Sequence, residues 1–401
     1  MILTGPSLLE RFLALDDFLI AHQHLWRPRP FTHLVLPWEQ DHSELAQWLR
    51  GRNLEQAERS DNQPHLLDAP PPFSELARTA QSLAATGELP ARQPGPANNR
   101  LSVDVPGRKW QQIEAFSACL NFSQAPTHWL DWCAGKGHLG RLLAHRGGAL
   151  TCLEHDPALV ADGQRLSERL QIEAHHLLQD VLAETAVNRL GAEHTPVALH
   201  ACGDLHVRLL QLASAAGCAH LAVAPCCYNR IAATHYQPLS QIARHSSLHL
   251  SRSDLGLPLS ETVTAGRRQR QQRDQSMARR LAFDLLQRQQ RASDDYLPTP
   301  SLPVSWLGKD FASYCRDLAE LKGFAITARP DWSALEQAGW QRLAQVRNLE
   351  LLRNLFRRPL ELWLLLDRAL YLQEQGYAVR LGTFCPYGLT PRNCLLLAER
   401  N

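Results

Sequence analysis

The residues best equipped for chemistry lie between Thr127 and Gly140, in the stretch THWLDWCAGKGHLG. Asp131 leads it, and Cys133, Ala134, Gly135, Lys136, Gly137, His138 and Leu139 follow. Gly135, Gly137 and Gly140 satisfy G-x-G-x-x-G, a turn whose backbone passes close to a ligand and opens a helix. Amides at a new helix N-terminus point at the bound polar group. Two ligands fit such a turn, a dinucleotide and S-adenosylmethionine. Asp131 stands four residues before Gly135 and discriminates between them. Its carboxylate accepts from turn amides and suits the ammonium of a methionine moiety, whereas it would repel a pyrophosphate. The stretch therefore points to S-adenosylmethionine.

Two further segments carry reactive side chains: His200-Ala201-Cys202-Gly203-Asp204-Leu205 and Cys226-Cys227-Tyr228-Asn229. Methyl transfer is an in-line displacement that needs an aligned acceptor and a destination for one proton. Asp204 or His200 is the candidate base, and Asn229 and Tyr228 suit the positioning of an amino acceptor. The adjacent Cys226 and Cys227 leave three readings open. They are a thiolate nucleophile on a pyrimidine ring, a metal site made with His200 and Cys202, or thiols packed under the cofactor. Packing is the simplest, so no metal ligand is assigned. The candidate catalytic set is Asp204, Cys226, Cys227, Tyr228, Asn229 and His200.

These residues need strand tips to hold them. Residues 127–132 suit a buried strand, and the helix over 139–145 leads to a second strand at 149–153 that ends in Glu154 and His155. Glu154 lies 14 residues beyond Gly140, the spacing of one helix and one strand, and suits a grip on ribose hydroxyls. Asp156-Pro157 caps the next helix. A third strand, 172–178, ends at Asp180 and Val181, which suit the adenine amino group and ring nitrogen. Fourth and fifth strands, 196–199 and 219–224, end in the two reactive segments. Ligands of open α/β sheets bind at the carboxyl ends of strands. The cofactor set is therefore Asp131, residues 133–139, Glu154, His155, Asp180 and Val181, joined by His200 and Cys202.

Around this core the chain of 401 residues divides into an N-terminal accessory unit (1–98, mostly helical), strands one to five (99–235), a helical basic insert (236–352), and a last helix with two strands (353–401). In the accessory unit, helices are expected over 7–24, 42–49 and 74–85, the last capped by Ser74, with a strand over 31–36 and a linker over 89–100. Arg108, Lys109 and Trp110 open the helix before the first strand, where cations are unfavourable unless they meet an anion. Residues 264–291 read as a helix with Arg267, Arg268, Arg270, Arg273, Arg279, Arg280, Arg288 and Arg291 against Asp274 and Asp284, a face able to follow an RNA backbone. Net charge is only +2, and all but four of the 42 cationic residues are arginine, a bias that genome composition explains. Ten cysteines without a C-x-x-C pair argue against a disulfide scaffold or zinc ribbon and for a reduced, cytoplasmic setting with no disulfide partner. No run approaches the ~18 apolar residues of a membrane span. Oligomeric state has no signature here.

Assembled in order, these segments resemble the S-adenosylmethionine-dependent methyltransferase-like family that carries a G-K-G-H-L turn. Its members include ribosomal RNA adenine dimethylase domain-containing proteins and the methyltransferase half of the glutathione S-transferase C-terminal-domain protein. The likeness extends more distantly to tRNA 2′-O-methyltransferases with cysteine-bearing fourth and fifth tips. It rests on Asp131, Gly135-Lys136-Gly137-His138-Leu139, the two reactive segments, Leu366-Asp367-Arg368 and Pro391-Arg392-Asn393. It covers residues 105–235 and 355–401, and departs from the family where Cys133 replaces the first glycine of the loop. The resemblance implies a class I, Rossmann-like α/β fold with a seven-stranded sheet and S-adenosylmethionine as cofactor, without fixing the substrate; RNA modification is expected from the distant tRNA-enzyme likeness together with the basic 264–291 face. A methyltransferase of a protein or small molecule, or a non-catalytic binding protein, is the alternative.

Overall fold

The protein was analysed as a computed structural model that describes residues 1–93, 100–260, 266–327 and 329–400. Part of the expected linker and the first residues of the 264–291 helix lie outside these. The chain forms two compact units. One comprises Met1–Ile20, Leu83–Val263 and Arg358–Asn401, the other Ala21–Ser82 and Thr264–Arg357. This division differs from the expected one. Residues 1–20 and 236–263 belong with the sheet, and residues 21–82 belong with the helical insert.

The first unit is built on eight strands: β1 Leu3–Thr4, β2 His128–Trp132, β3 Ala149–Glu154, β4 Ala174–Leu178, β5 His194–Cys202, β6 His220–Cys226, β7 Tyr377–Thr383 and β8 Cys394–Arg400. Their order is β1-β7-β8-β6-β5-β2-β3-β4. β2 to β6 pair in parallel, and β8 enters antiparallel between β6 and β7. Seven of these strands reproduce the class I methyltransferase order. The eighth, β1, adds two residues to the edge of β7, which no residue pattern announced.

The central strands are buried on both faces, so they read as continuous apolar runs rather than alternating ones. On one face Ile113 and Phe116 of the Gly107–Cys119 helix and Leu139, Leu142 and Leu143 of the His138–His145 helix pack with Val197, Ala222, Leu395 and Leu397. The Arg357–Glu374 helix buries Trp363, Leu364, Leu365 and Leu366 completely. Its fully buried Asp367 accepts from the Leu239 and Ser240 amides and the Ser240 hydroxyl at 2.9, 2.8 and 2.7 Å. Arg368 donates to His206 Nε2 at 2.8 Å and to the Tyr236 hydroxyl at 3.0 Å. The Asp367-Arg368 pair thereby ties the segment after β6 to the sheet.

The second unit pairs the Arg267–Arg291 and Trp332–Asn354 helices. Gly339 permits their close approach, because a Cβ there would lie 2.5 Å from the Ala278 carbonyl oxygen. Asn348 and Arg353 of the second helix anchor the backbone at Arg52, Asn53 and Trp26. The strand expected over 31–36 is absent. Those residues form turns, Val35 is exposed, and no neighbouring strand offers the cross-strand partners that β-branched and aromatic residues need. The helix expected over 74–85 spans Phe73–Ala84, and the Ser74 hydroxyl donates to Ala69 O instead of capping it.

Candidate functional site

A cavity of about 370 Å³ opens at the carboxyl ends of the parallel strands, lined by Cys133, Leu153, Glu154, His155, Gln179, Asp180, Val181, Leu182 and Leu205. This is where an open α/β sheet binds its ligand. A larger space of about 670 Å³, with Arg92, Phe122, Trp129 and Arg146 among its lining, sits at the opposite, amino ends of the strands. Size alone would select that space. Topology and the carboxylates select the smaller one.

Five of the expected cofactor residues line the smaller cavity: Cys133, Glu154, His155, Asp180 and Val181. Glu154, buried at the tip of β3, accepts from the Gly135 amide at 2.9 Å through one oxygen. Its other oxygen accepts from the His155 and Asp156 amides at 2.9 and 3.1 Å. The exposed His155 ring nitrogen also lies 2.8 Å from that second oxygen, so of the roughly four acceptor positions a carboxylate has, the one a ribose hydroxyl can take is the position the imidazole gives up. Asp180 is exposed and accepts from the Leu182 amide at 2.9 Å. Gln179 and Leu205 line the cavity without having been expected to. Both lie within tip segments already singled out, Gln179 directly before Asp180.

The loop works as a scaffold around this cavity. Asp131 is buried beneath it and accepts from the Gly140 amide at 2.9 Å, at the start of the His138–His145 helix. Burial pushes its carboxyl up to about 7, against the Gly140 hydrogen bond and the charges of Arg141 and Lys109. Gly137 has a φ of +70°, and a Cβ there would stand 2.6 Å from the His176 ring. This glycine therefore serves packing within the unit. His138 is buried too. Burial, then Arg141 and Lys109, lowers its ring to about 4, so it is the neutral acceptor for Arg141 at 3.0 Å. Leu139 belongs to the hydrophobic core. Lys136 pairs with Asp162 at 2.9 Å. Loop residues 136–139 thus hold the turn rather than line the cavity. Cys133 takes the left-handed φ of +57° that the missing glycine would have taken freely, at a strain of order 1–3 kcal/mol. Lys109 acts electrostatically on Asp131, His138 and His200 together, so its charge is felt at both the loop and the β5 tip.

The β5 and β6 tips meet as expected, but not all of their side chains face one place. Cys202 and Cys226 are register partners with sulfurs 3.5 Å apart. Cys202, Cys226 and Cys227 place all three sulfurs within 4.8 Å of one another. His200, grouped with them on sequence grounds, is not a member of that cluster; it is exposed, with φ +77°. Hydrogen bonds from Cys202 and Cys226, with Arg392 and Arg230 nearby, lower the Cys227 thiol, while Cys226 is held protonated. Asp204 accepts from the Ala232 amide at 2.7 Å and so clamps the segment after β6. Tyr228 is corrected: it is buried, with its hydroxyl 3.4 Å from Glu361 and its ring under Arg368. Cys226 ends the strand, and the turn at Cys227 sends Tyr228 into the core. Asn229 stays half-buried beside it.

The arginines expected to form a phosphate-following face are largely spent inside the second unit. Arg279 is buried and donates to Trp306 and Leu307 carbonyls. Arg288 is buried against Asp284 at 2.7 Å. Arg280 donates to Thr299, and Asp274 is held by Arg347 at 2.6 Å. Arg268 and Arg270 remain exposed.

Residues 108–234 match the family model described as "Methyltransferase domain". The glutathione S-transferase C-terminal domain-containing protein of Xenopus laevis is 29% identical over 147 residues, 36% of this chain. The match spans only 23% of that protein's length. The structure of the plantazolicin methyltransferase BpumL in complex with SAH is similar over 42% of this chain and 60% of that one, at 12% identity and a TM-score of 0.22. The part of the chain that carries β2 to β6 and both strand-tip segments, residues 108–234, thus matches a methyltransferase domain. No helix among the described residues is long and apolar enough to cross a membrane.

Proposed function

We propose that this chain transfers a methyl group from S-adenosylmethionine to RNA presented at the β5 and β6 tips. The observation that carries the donor half is Glu154, fixed by the loop amide at one edge of a cavity that Asp180 and Val181 close at the other. Glu154 takes the ribose hydroxyls, and Asp180 with the Val181 amide takes the adenine. Lys109 meets the methionine carboxylate. Asp131, beneath the loop, answers the ammonium through the field rather than by contact. With Asp204 engaged by Ala232, His200 is the side chain assigned the acceptor's proton.

Support for RNA comes from the cations around the tips. Arg230 is exposed, Arg392 acts with it on Cys227, and Lys109 acts on His200. Such a rim favours an acceptor that carries phosphate. Labelling a cell extract with tritiated S-adenosylmethionine, with and without RNase, tests this. Label lost to RNase is the expected outcome. Label that survives RNase and yields to protease, or travels with small molecules, replaces the RNA half and leaves the donor half standing.

A further inference from the structure

The three-sulfur cluster at the β5 and β6 tips is more organised than packing requires. Successive strand residues point to opposite faces, so Cys226 and Cys227 should diverge. They do not, because Cys227 takes a left-handed φ of +47° as the strand ends. Cys202 is re-aimed as well. The β5–β6 register shifts between Leu199 and Cys202, and His200 in that shift has φ +77°. Bulges next to active sites redirect side chains in this way. Two departures from regular strand geometry thus converge on one result, three sulfurs within 4.8 Å of each other. Among the described residues this is the one group of three or more His, Cys, Asp or Glu side chains with spacing fit for a metal.

The geometry points to a three-thiolate zinc site formed by Cys202, Cys226 and Cys227. Sulfurs at tetrahedral positions around Zn²⁺, each about 2.3 Å from the ion, lie about 3.8 Å apart. The 3.5 Å between Cys202 and Cys226 and the 4.8 Å limit of the group bracket that spacing. The same 3.5 Å is too long for a disulfide, which holds its sulfurs at about 2.05 Å. Three thiolates soften the site toward a d¹⁰ ion. They also leave one unit of negative charge, which Arg230 and Arg392 beside Cys227 offset. Cys202 and Cys227 are half-exposed, so an ion has a way in. With only three protein ligands the fourth position stays open, as in catalytic rather than structural zinc sites. An oxygen or sulfur donor bound there would have a lowered pKa.

Zinc content of the full chain, purified under reducing conditions, dialysed and analysed by mass spectrometry, tests the site, with Co²⁺ reconstitution as a second readout. One zinc per chain is expected, falling at least about tenfold in Cys202→Ser and Cys227→Ser. Co²⁺ should give a thiolate charge-transfer band that both variants lose. Cys218→Ser, whose buried sulfur donates to Gly191 O, should keep its zinc. A melting-temperature rise with S-adenosylmethionine serves as the check that each variant is folded. Folded wild type without zinc or a cobalt band, retention of copper in place of zinc, or a Cys202–Cys226 disulfide in the reduced preparation each overturns the proposal. Cofactor binding without zinc would sink the metal alone. Zinc without cofactor binding would sink the donor reading alone.

Discussion

Replacing Asp131 with asparagine should stabilise the protein above neutral pH while weakening its hold on the methyl donor. The carboxyl sits at about 7 rather than 3.8, chiefly because it is buried. A group raised in the folded state favours folding while protonated, and that advantage is lost as pH climbs toward the folded value. The gap between 3.8 and about 7 corresponds to about 4 kcal/mol when Asp131 is fully ionised. About 2.5 kcal/mol of this is lost between about pH 5 and about pH 8. Asparagine keeps an oxygen for the Gly140 amide and carries no charge. Urea unfolding of both proteins, followed by tryptophan fluorescence, should show the variant gaining on wild type by about 2–3 kcal/mol across that pH range. The difference between the two proteins isolates this one titration. Binding of S-adenosylmethionine near about pH 6.5 should draw Asp131 to its carboxylate and release a proton, visible as buffer-dependent calorimetric heat in wild type only. A stability gap that ignores pH, or a variant less stable at about pH 8, would refute the reasoning.

Other consequences are open to measurement. Glu154→Gln should weaken S-adenosylmethionine by about 10- to 100-fold in calorimetry, because charge-assisted hydrogen bonds to ribose are worth about 1.5–3 kcal/mol. Gly203→Ala should lower the melting temperature and disorder the β5–β6 tips, since its φ is +52° and a Cβ would stand 2.0 Å from Arg230 O; an unchanged melting curve would contradict this. Asp367→Asn should cost about 1–3 kcal/mol by turning an amide group toward the buried donors of Tyr236, Leu239 and Ser240 that the carboxylate now accepts from, read as a shift in the denaturation midpoint. RNA binding, if it uses the cationic rim, should fall with salt at a log–log slope of about −0.7 per phosphate contact, and Arg230→Ala should flatten that slope.

The sheet was legible because each strand of the domain ends in residues whose types have a reason to be at a tip. Asp156-Pro157 at the helix after β3 is a local signal of the same kind, and the Asp156 side chain does accept from the Ala158 amide at 2.8 Å. Where tertiary partners decide, the residues misled. The 31–36 run has strand-forming residues and no strand to pair with. The arginines of the Arg267–Arg291 helix look like a solvent face, yet Arg279 and Arg288 are buried clamps. Tyr228 sits in a reactive-looking segment, and only the backbone turn at Cys227 reveals that it points inward. Residues 21–82 pack with 264–357 through contacts nearly 300 positions apart, such as Asn348 with Arg52, which no local pattern encodes. In the loop, G-x-G-x-x-G stands beside the cavity, while His138 and Leu139 are buried away from its lining, because residue spacing cannot say which side of a turn faces inward.

A crystal of the full chain grown with S-adenosylhomocysteine bears most directly on the central claim. The ribose hydroxyls should rest on Glu154 and the adenine beside Asp180 and Val181, within the cavity at the carboxyl ends of β3 and β4. The nucleoside lodged at the amino ends of the strands, among Phe122, Trp129 and Arg146, would contradict it.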